Sequence, residues 1–205
     1  MRSAVRRGPL RMTEALTTGT DTAPLEVLII GAGFAGLGMG IALRKAGVEH
    51  FVIVDKGHDV GGVWRENRYP GAACDVPSHL YSFSFEPNPA WTHVFSRQAE
   101  IETYLQHCAQ KYGLYPHLRF GAEVESAHFD EDATLWRTRL RDGTLLVSRR
   151  LISAVGQLSR PALPPIEGLE TFAGPSFHSA QWNQQQTLDG QRVAVIGTGA
   201  SAIQF

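Results

Sequence analysis

The sequence is short of cysteine, with only Cys74 and Cys108, far apart and without metal-ligand spacing. That excludes a disulfide framework and a cysteine-built metal site, and it makes a reducing cytoplasm the simplest home. No apolar stretch is long enough to span a bilayer. An excess of one charge is missing too. The formal net charge is −1 and no long basic run lies in the body, which argues against nucleic acid or a membrane surface as the main partner. His79 and His93 belong to no metal-like constellation, so no metal is expected. An apolar share of 43% against 19% charged is enough for a real core.

The amino-terminal segment lacks the apolar region of a secretory signal: Met1 to Arg11 carry four arginines and little else. Residues 1–24 are expected to form a disordered leader, with translation starting at Met12.

From there the pattern is that of an α/β protein. Val27 to Ile30 is a continuous apolar run that suits a buried parallel strand. Leu37 to Lys45 has helical periodicity, with Gly47 as a C-terminal cap. Phe51 to Val54 is a second buried strand ending in Asp55. The Gly-, Pro- and aromatic-rich stretch from Gly57 to Asn88 has no clear period, which marks a functional segment. Gln98 to Tyr112 is a second helix. Leu118 to Phe129 and Leu135 to Leu140 alternate as strands do, Asp142-Gly143 turns a hairpin into Leu145 to Val147, and Leu151 to Val155 is a further buried strand. Pro161, Pro164 and Pro165 mark a linker. Val193 to Ile196 then predicts another strand, followed by a second glycine turn about one helical turn before Phe205.

The two glycine turns carry the chemistry. Gly31-Ala32-Gly33-Phe34-Ala35-Gly36 joins strand to helix. Gly31 allows the bend, Gly33 lets a pyrophosphate approach the backbone, and Gly36 lets helix and strand pack closely. The helix N-terminus offers free N–H groups and a partial positive charge to phosphates. Asp55, at the end of the second strand, stands where a carboxylate can accept a ribose hydroxyl. The second turn, Gly197-Thr198-Gly199-Ala200-Ser201-Ala202, ends in alanine, a variant the motif allows. Its acid or base that separates NAD from NADP would lie beyond Phe205. Two such turns suggest two dinucleotides, one of them a flavin reduced by the other.

Gly61-Gly62-Val63-Trp64, Tyr69-Pro70-Gly71 and Asp75 resemble a pattern of the class B flavin monooxygenases, and are most similar to the Baeyer–Villiger monooxygenases. Phe172, Gly174, His178 and Trp182 are spaced like that family's fingerprint between its two nucleotide turns, with Asn183 where members usually have Pro or Asp. The run from Cys74 to Phe83 resembles members acting on aryl or cyclic ketones. The resemblance covers Leu25 to Phe205 and corresponds to roughly the N-terminal 40% of a typical member.

The resemblance implies a fold and a reaction. The fold is a FAD-binding Rossmann-like domain, a parallel sheet plus a β-meander, over 25–160. A linker and the start of a second, NADP-binding Rossmann-like domain follow over 161–205. NADPH would reduce FAD, and one oxygen of O2 would be inserted next to the carbonyl of a small ketone, giving an ester or lactone; the alternatives are an N- or S-oxygenating flavin monooxygenase, or a truncated FAD-binding fragment without turnover. Gly61, Gly62, Val63, Trp64, Cys74, Asp75, Tyr81 and the backbone of Val124 would hold FAD with the first turn, and Gln204 would join the second turn on NADPH. Asp75 would orient a catalytic arginine whose place none of the arginines present matches. Phe172, Gly174, His178 and Trp182 would form a hinge. The chain alone is expected to be incomplete for turnover. A flavin disulfide reductase would instead need a close cysteine pair just after the flavin-binding helix, where this chain has Trp64.

Overall fold

The computed structural model describes residues 23–205; of the expected leader all but Ala23 and Pro24 lie outside them. β1 (Leu25–Ile30) leads through the first glycine turn into α1 (Phe34–Lys45) and returns as β2 (Phe51–Val54). α2 (Val63–Glu66) is one short turn, and α3 (Gln98–Lys111) is the second long helix. β3 (Leu118–Arg119), β4 (Val124–Asp130), β5 (Leu135–Leu140) and β6 (Leu145–Ser153) complete one six-stranded sheet, ordered β3-β2-β1-β6-β5-β4. α4 (Ala200–Gln204) closes the chain.

β1 and β2 are buried on both faces, which explains their unbroken apolar runs. Val27 and Ile29 of β1 and Phe51 and Ile53 of β2 point to the α1–α3 side, where Leu37, Ile41, Ile101 and Leu105 meet them. Leu28, Val52 and Val54 point the other way and pack with Leu140 and Leu146 of the meander. α1 ends as expected at Gly47: the Val48 N–H reaches back to the Leu43 carbonyl at 2.9 Å and the Gly47 N–H to Arg44 at 3.0 Å, a paired closure that satisfies carbonyls of the last turn.

Four expectations are corrected. α1 begins at Phe34, not Leu37, so the helix grows directly out of the glycine turn. The alternating stretch from Leu118 splits into β3, parallel to β2, and β4, antiparallel to β5. The two strands expected around Leu145 and Leu151 are one strand. The first half of β6 pairs antiparallel with β5, and the second half pairs parallel with β1. Finally, Val193 to Ile196 is not a strand. Among the described residues no neighbour offers it a ladder, and Val193, Val195 and Ile196 are exposed. Apolar character sets which residues want burial, but a strand exists only by pairing. No helix among the described residues is long and apolar enough to cross a membrane.

Candidate dinucleotide site

The first glycine turn sits where β1 leaves the sheet between its two parallel neighbours. The Gly31 N–H donates to Val54 on one side at 2.8 Å, and Ala154 donates to Ile30 on the other at 2.8 Å. Gly31 has φ 105°, and a Cβ there would lie 2.4 Å from the Ala154 carbonyl oxygen. A Cβ on Gly36 would lie 1.8 Å from the Gly31 carbonyl oxygen. Both positions therefore demand glycine, and the close packing that Gly36 permits is against the turn itself.

Gly33 caps α1 without any side-chain hydrogen bond, and no acid lies in the first turn of the helix. The positive end of the helix is thus left uncompensated by the chain. Gly62 faces it: a Cβ on Gly62 would come within 3.0 Å of the Gly33 Cα. The two glycine motifs, far apart in sequence, form one groove floor without side chains. This bare cradle under free helix N–H groups fits the pyrophosphate of a dinucleotide.

Asp55 is 8% exposed, and both of its carboxylate oxygens have protein partners. Oδ2 accepts the Ala32 N–H at 2.8 Å, and Oδ1 accepts the Gly57 N–H at 2.8 Å and Arg65 Nη2 at 3.0 Å. The carboxylate fixes the glycine turn from behind, a task not expected from its position alone. Arg65 was not anticipated at all. It is only 4% exposed, although it stands on α2 among polar neighbours. It also donates to the Asp59 carbonyl and to Glu66. Burial opposes its charge. The hydrogen bond to Glu66 and the charges of Asp55 and Glu66 outweigh that, so its pKa rises above the usual arginine value. Its only sequence signal was an arginine one residue after Gly-Gly-x-Trp.

Trp64 and Tyr81 face each other edge-on at 5.6 Å, with Trp64 Nε1 donating to Tyr81 Oη at 3.1 Å. Phe34, the fourth residue of the glycine turn, packs edge-on against Tyr81 at 5.1 Å and Phe83 at 5.2 Å. An aromatic wall therefore rises beside the cradle. Burial pushes the Tyr81 hydroxyl's pKa up; the Trp64 hydrogen bond opposes this and the charges of Cys74 and Asp75 add to it. Asp75 is exposed, and no described cation pairs with it. Gly61 is buried and Val63 half-buried at the start of α2. Ala35 is exposed on the first turn of α1. Val124 opens β4 and packs with the core on the opposite sheet face. Its link to the turn is indirect, through the Ala122 N–H, which donates to the Asp55 carbonyl at 2.9 Å.

Cys74 and Cys108 are free and buried. Burial raises both thiol pKa values, against a hydrogen bond from the Val76 backbone at Cys74 and one with the Tyr104 side chain at Cys108. A raised pKa lowers the thiolate fraction near neutral pH. A water-soluble disulfide reagent will accordingly leave both cysteines unlabelled in the folded protein and label both in denaturant. Fast labelling of either one without denaturant contradicts this. Among the described residues no group of three or more His, Cys, Asp or Glu is arranged to hold a metal.

In the second turn Gly197 has φ 134° and Gly199 caps α4. Thr198 and Ala200 are exposed, and Ser201 and Ala202 half-buried. The Gln204 side chain points back to the Tyr69–Ala73 segment, where its Oε1 accepts from Tyr69 and its Nε2 donates to the Ala73 carbonyl. In the linker, His178 Nδ1 accepts the Ala180 N–H at 3.0 Å, which starts a short helical turn. Trp182 packs edge-on with Phe177 at 5.1 Å and Phe205 at 5.0 Å. Phe172 is exposed and its ring lies over Gly174.

A mixed sheet whose parallel strands open through a bare glycine turn into a helix without a side-chain cap defines a Rossmann-like, nucleotide-binding α/β protein. The family model described as pyridine nucleotide-disulphide oxidoreductase matches residues 28–205, and the chain belongs to that family. It is 52% identical over 181 residues to a Baeyer-Villiger monooxygenase of Streptomyces coelicolor, which spans 88% of this chain and 35% of that protein. Its structure resembles the closed crystal structure of cyclohexanone monooxygenase (TM-score 0.81, 38% identity, 89% of this chain and 35% of that one). It also resembles OTEMO in complex with FAD and NADP (TM-score 0.82, 34% identity, 89% and 36%). The chain spans about a third of the length of the relatives it matches.

Proposed function

We propose that this chain binds FAD in the cradle between Gly33 and Gly62 and serves a Baeyer–Villiger monooxygenase that uses NADPH and O2 on a small ketone. The observation that carries this reading is the shared floor of the two glycine motifs under the uncapped end of α1. Homology over most of the chain to a Baeyer-Villiger monooxygenase supports it, as does resemblance to a structure holding FAD and NADP. Residues 25–160 form the FAD-binding unit in this reading. Residues 161–205 form the linker and the part of the NADP-binding unit present, with the hinge fingerprint between them. We place the protein in the cytoplasm, where its two buried thiols stay reduced.

Bound FAD supplies the electron relay between NADPH and O2 that oxygen insertion requires. The chain's own residues bind and orient. The N–H groups of Phe34, Ala35 and Gly36 receive the pyrophosphate. Asp55 and Arg65 hold the turn that presents them. The Trp64–Tyr81–Phe34 wall lines the flavin side and excludes water. Asp75 presents an exposed carboxylate that would orient a guanidinium, one that no described arginine supplies, to stabilise developing negative charge. Disulfide chemistry is disfavoured because both thiols are free and buried.

Titration of the purified chain with FAD will give a saturable quench of flavin fluorescence at one-to-one stoichiometry. Trp64→Ala and Gly62→Val will each weaken the binding about tenfold or more, since each removes or fills one wall of the cradle. A chain that ignores FAD sinks the cofactor reading. A longer form that holds FAD and consumes NADPH but oxygenates no ketone sinks the reaction.

A further inference from the structure

The flavin-side loop and the second glycine turn meet chiefly at Gln204. The segment Ala72 to Cys74 is extended. Its outer groups pair with the start of α3: the Gln98 N–H donates to Ala72 at 2.9 Å, and the Cys74 N–H donates to Ser96 at 2.9 Å. In an extended chain the groups of the intervening residue point the opposite way. Those of Ala73 meet Gln204. Gln204 Nε2 donates to the Ala73 carbonyl at 2.8 Å, and the Ala73 N–H points at Gln204 Oε1 at 3.4 Å. Without Gln204 the main chain of Ala73 has no protein partner among the described residues, and a half-buried peptide left unpaired is costly.

The contact is shaped as well as bonded. The buried Tyr69 donates its hydroxyl to Gln204 Oε1 at 2.8 Å and lies 3.1 Å from Ser201 Oγ. A Cβ on Gly71 would lie 2.0 Å from the Gln204 carbonyl oxygen, so the loop is bare where α4 sits on it. Phe205 packs edge-on against Tyr69 at 5.7 Å and against Trp182 of the linker at 5.0 Å. The second turn thus converges on Tyr69, Gly71 and Ala73, just ahead of Cys74 and Asp75.

We propose that Gln204 and Tyr69 form a latch by which the helix of the second glycine turn positions the Ala73–Asp75 backbone, and through it the flavin site. The proposal rests on the flavin reading above. Gln204 is a positioning residue in it. Any ligand of the second turn that shifts α4 is sensed at Asp75, and by linkage flavin binding is sensed at the second turn.

Amide hydrogen exchange and FAD titration on the whole 205-residue chain test this separately, with Gln204→Leu, Tyr69→Phe and the exposed Ile203→Ser as a helix control. Gln204→Leu will speed exchange at Ala73 and Cys74 about tenfold while α3 amides stay protected, and it will weaken FAD binding about tenfold. Tyr69→Phe will do the same to a smaller degree, and Ile203→Ser will do neither. Unchanged exchange in Gln204→Leu overturns the latch whether or not the chain binds FAD. Faster exchange with unchanged FAD affinity overturns its reach to the flavin site. A parent chain that ignores FAD counts against the cofactor reading, and the exchange data still decide the latch itself.

Discussion

Gly36→Ala will lower stability by about 3 kcal/mol and abolish FAD binding, although alanine is the better helix former. The propensity term alone favours alanine by about 1 kcal/mol, so the expected sign is opposite to that of an ordinary helix position. The reason is the 1.8 Å approach to the Gly31 carbonyl oxygen. That atom cannot retreat. Gly31 is tied by its N–H to Val54, and its own Cα faces the Ala154 carbonyl so closely that a Cβ would collide at 2.4 Å. Relief must come from the helix, which would lift away from β1 and carry the Phe34–Gly36 N–H groups out of the cradle. Gly40→Ala on the same helix is the comparison. Its Cβ would meet the Ile53 Cδ1 at 2.9 Å and a Leu114 methyl at 3.2 Å, both ends of flexible side chains. We expect it to change stability by less than about 1 kcal/mol and to leave FAD affinity intact. Urea unfolding and flavin titration on the two variants decide the matter. A Gly36→Ala chain as stable as its parent removes the steric argument for the turn.

Such a contrast was partly legible in the sequence, because the glycine turn is a local device. Strand, bend and helix start lie within a dozen residues, and their physics needs nothing from elsewhere. The same holds for the Gly47 cap and the Asp142-Gly143 hairpin, where the Gly143 N–H closes on Leu140 at 3.0 Å. Features that depend on a distant partner were less visible. Arg149 and Arg150 interrupt the apolar pattern of β6 and read as a break, yet both are exposed while the backbone runs on, changing partner from β5 to β1 at Ser148. Val193 to Ile196 looks like a strand and has no ladder to join. Gln204 follows the second glycine turn by two residues and turns its amide to a loop about 130 residues earlier in the chain. Asp55 was placed correctly at the end of β2, while its partners Ala32 and Arg65 appear only once the turn and α2 are folded together.

Arg65 therefore gives the second large expected effect. Arg65→Met keeps most of the side-chain volume and removes the charge that faces Asp55. It leaves a carboxylate 8% exposed with two backbone donors and no cation. Loss of one partner from a buried ion pair costs about 3–5 kcal/mol, much of it the desolvation of the charge left behind. The Asp59 carbonyl loses its donor in the same step. Asp55→Asn should cost less, about 1–3 kcal/mol, because one amide oxygen can still accept the Ala32 N–H. The double variant should then be less damaged than the sum of the singles by about 1–3 kcal/mol, since neither charge remains to be left alone. Urea unfolding of the four chains measures that difference. Strict additivity would mean that Arg65 packs beside Asp55 without being coupled to it. Coupling would mean that the ion pair binds α2, which carries Trp64 and follows directly on Gly62, to the turn that carries Gly33. The two glycines that share the groove floor would then keep their spacing through charges placed behind it, and Arg65→Met should weaken FAD binding even at temperatures where the variant stays folded.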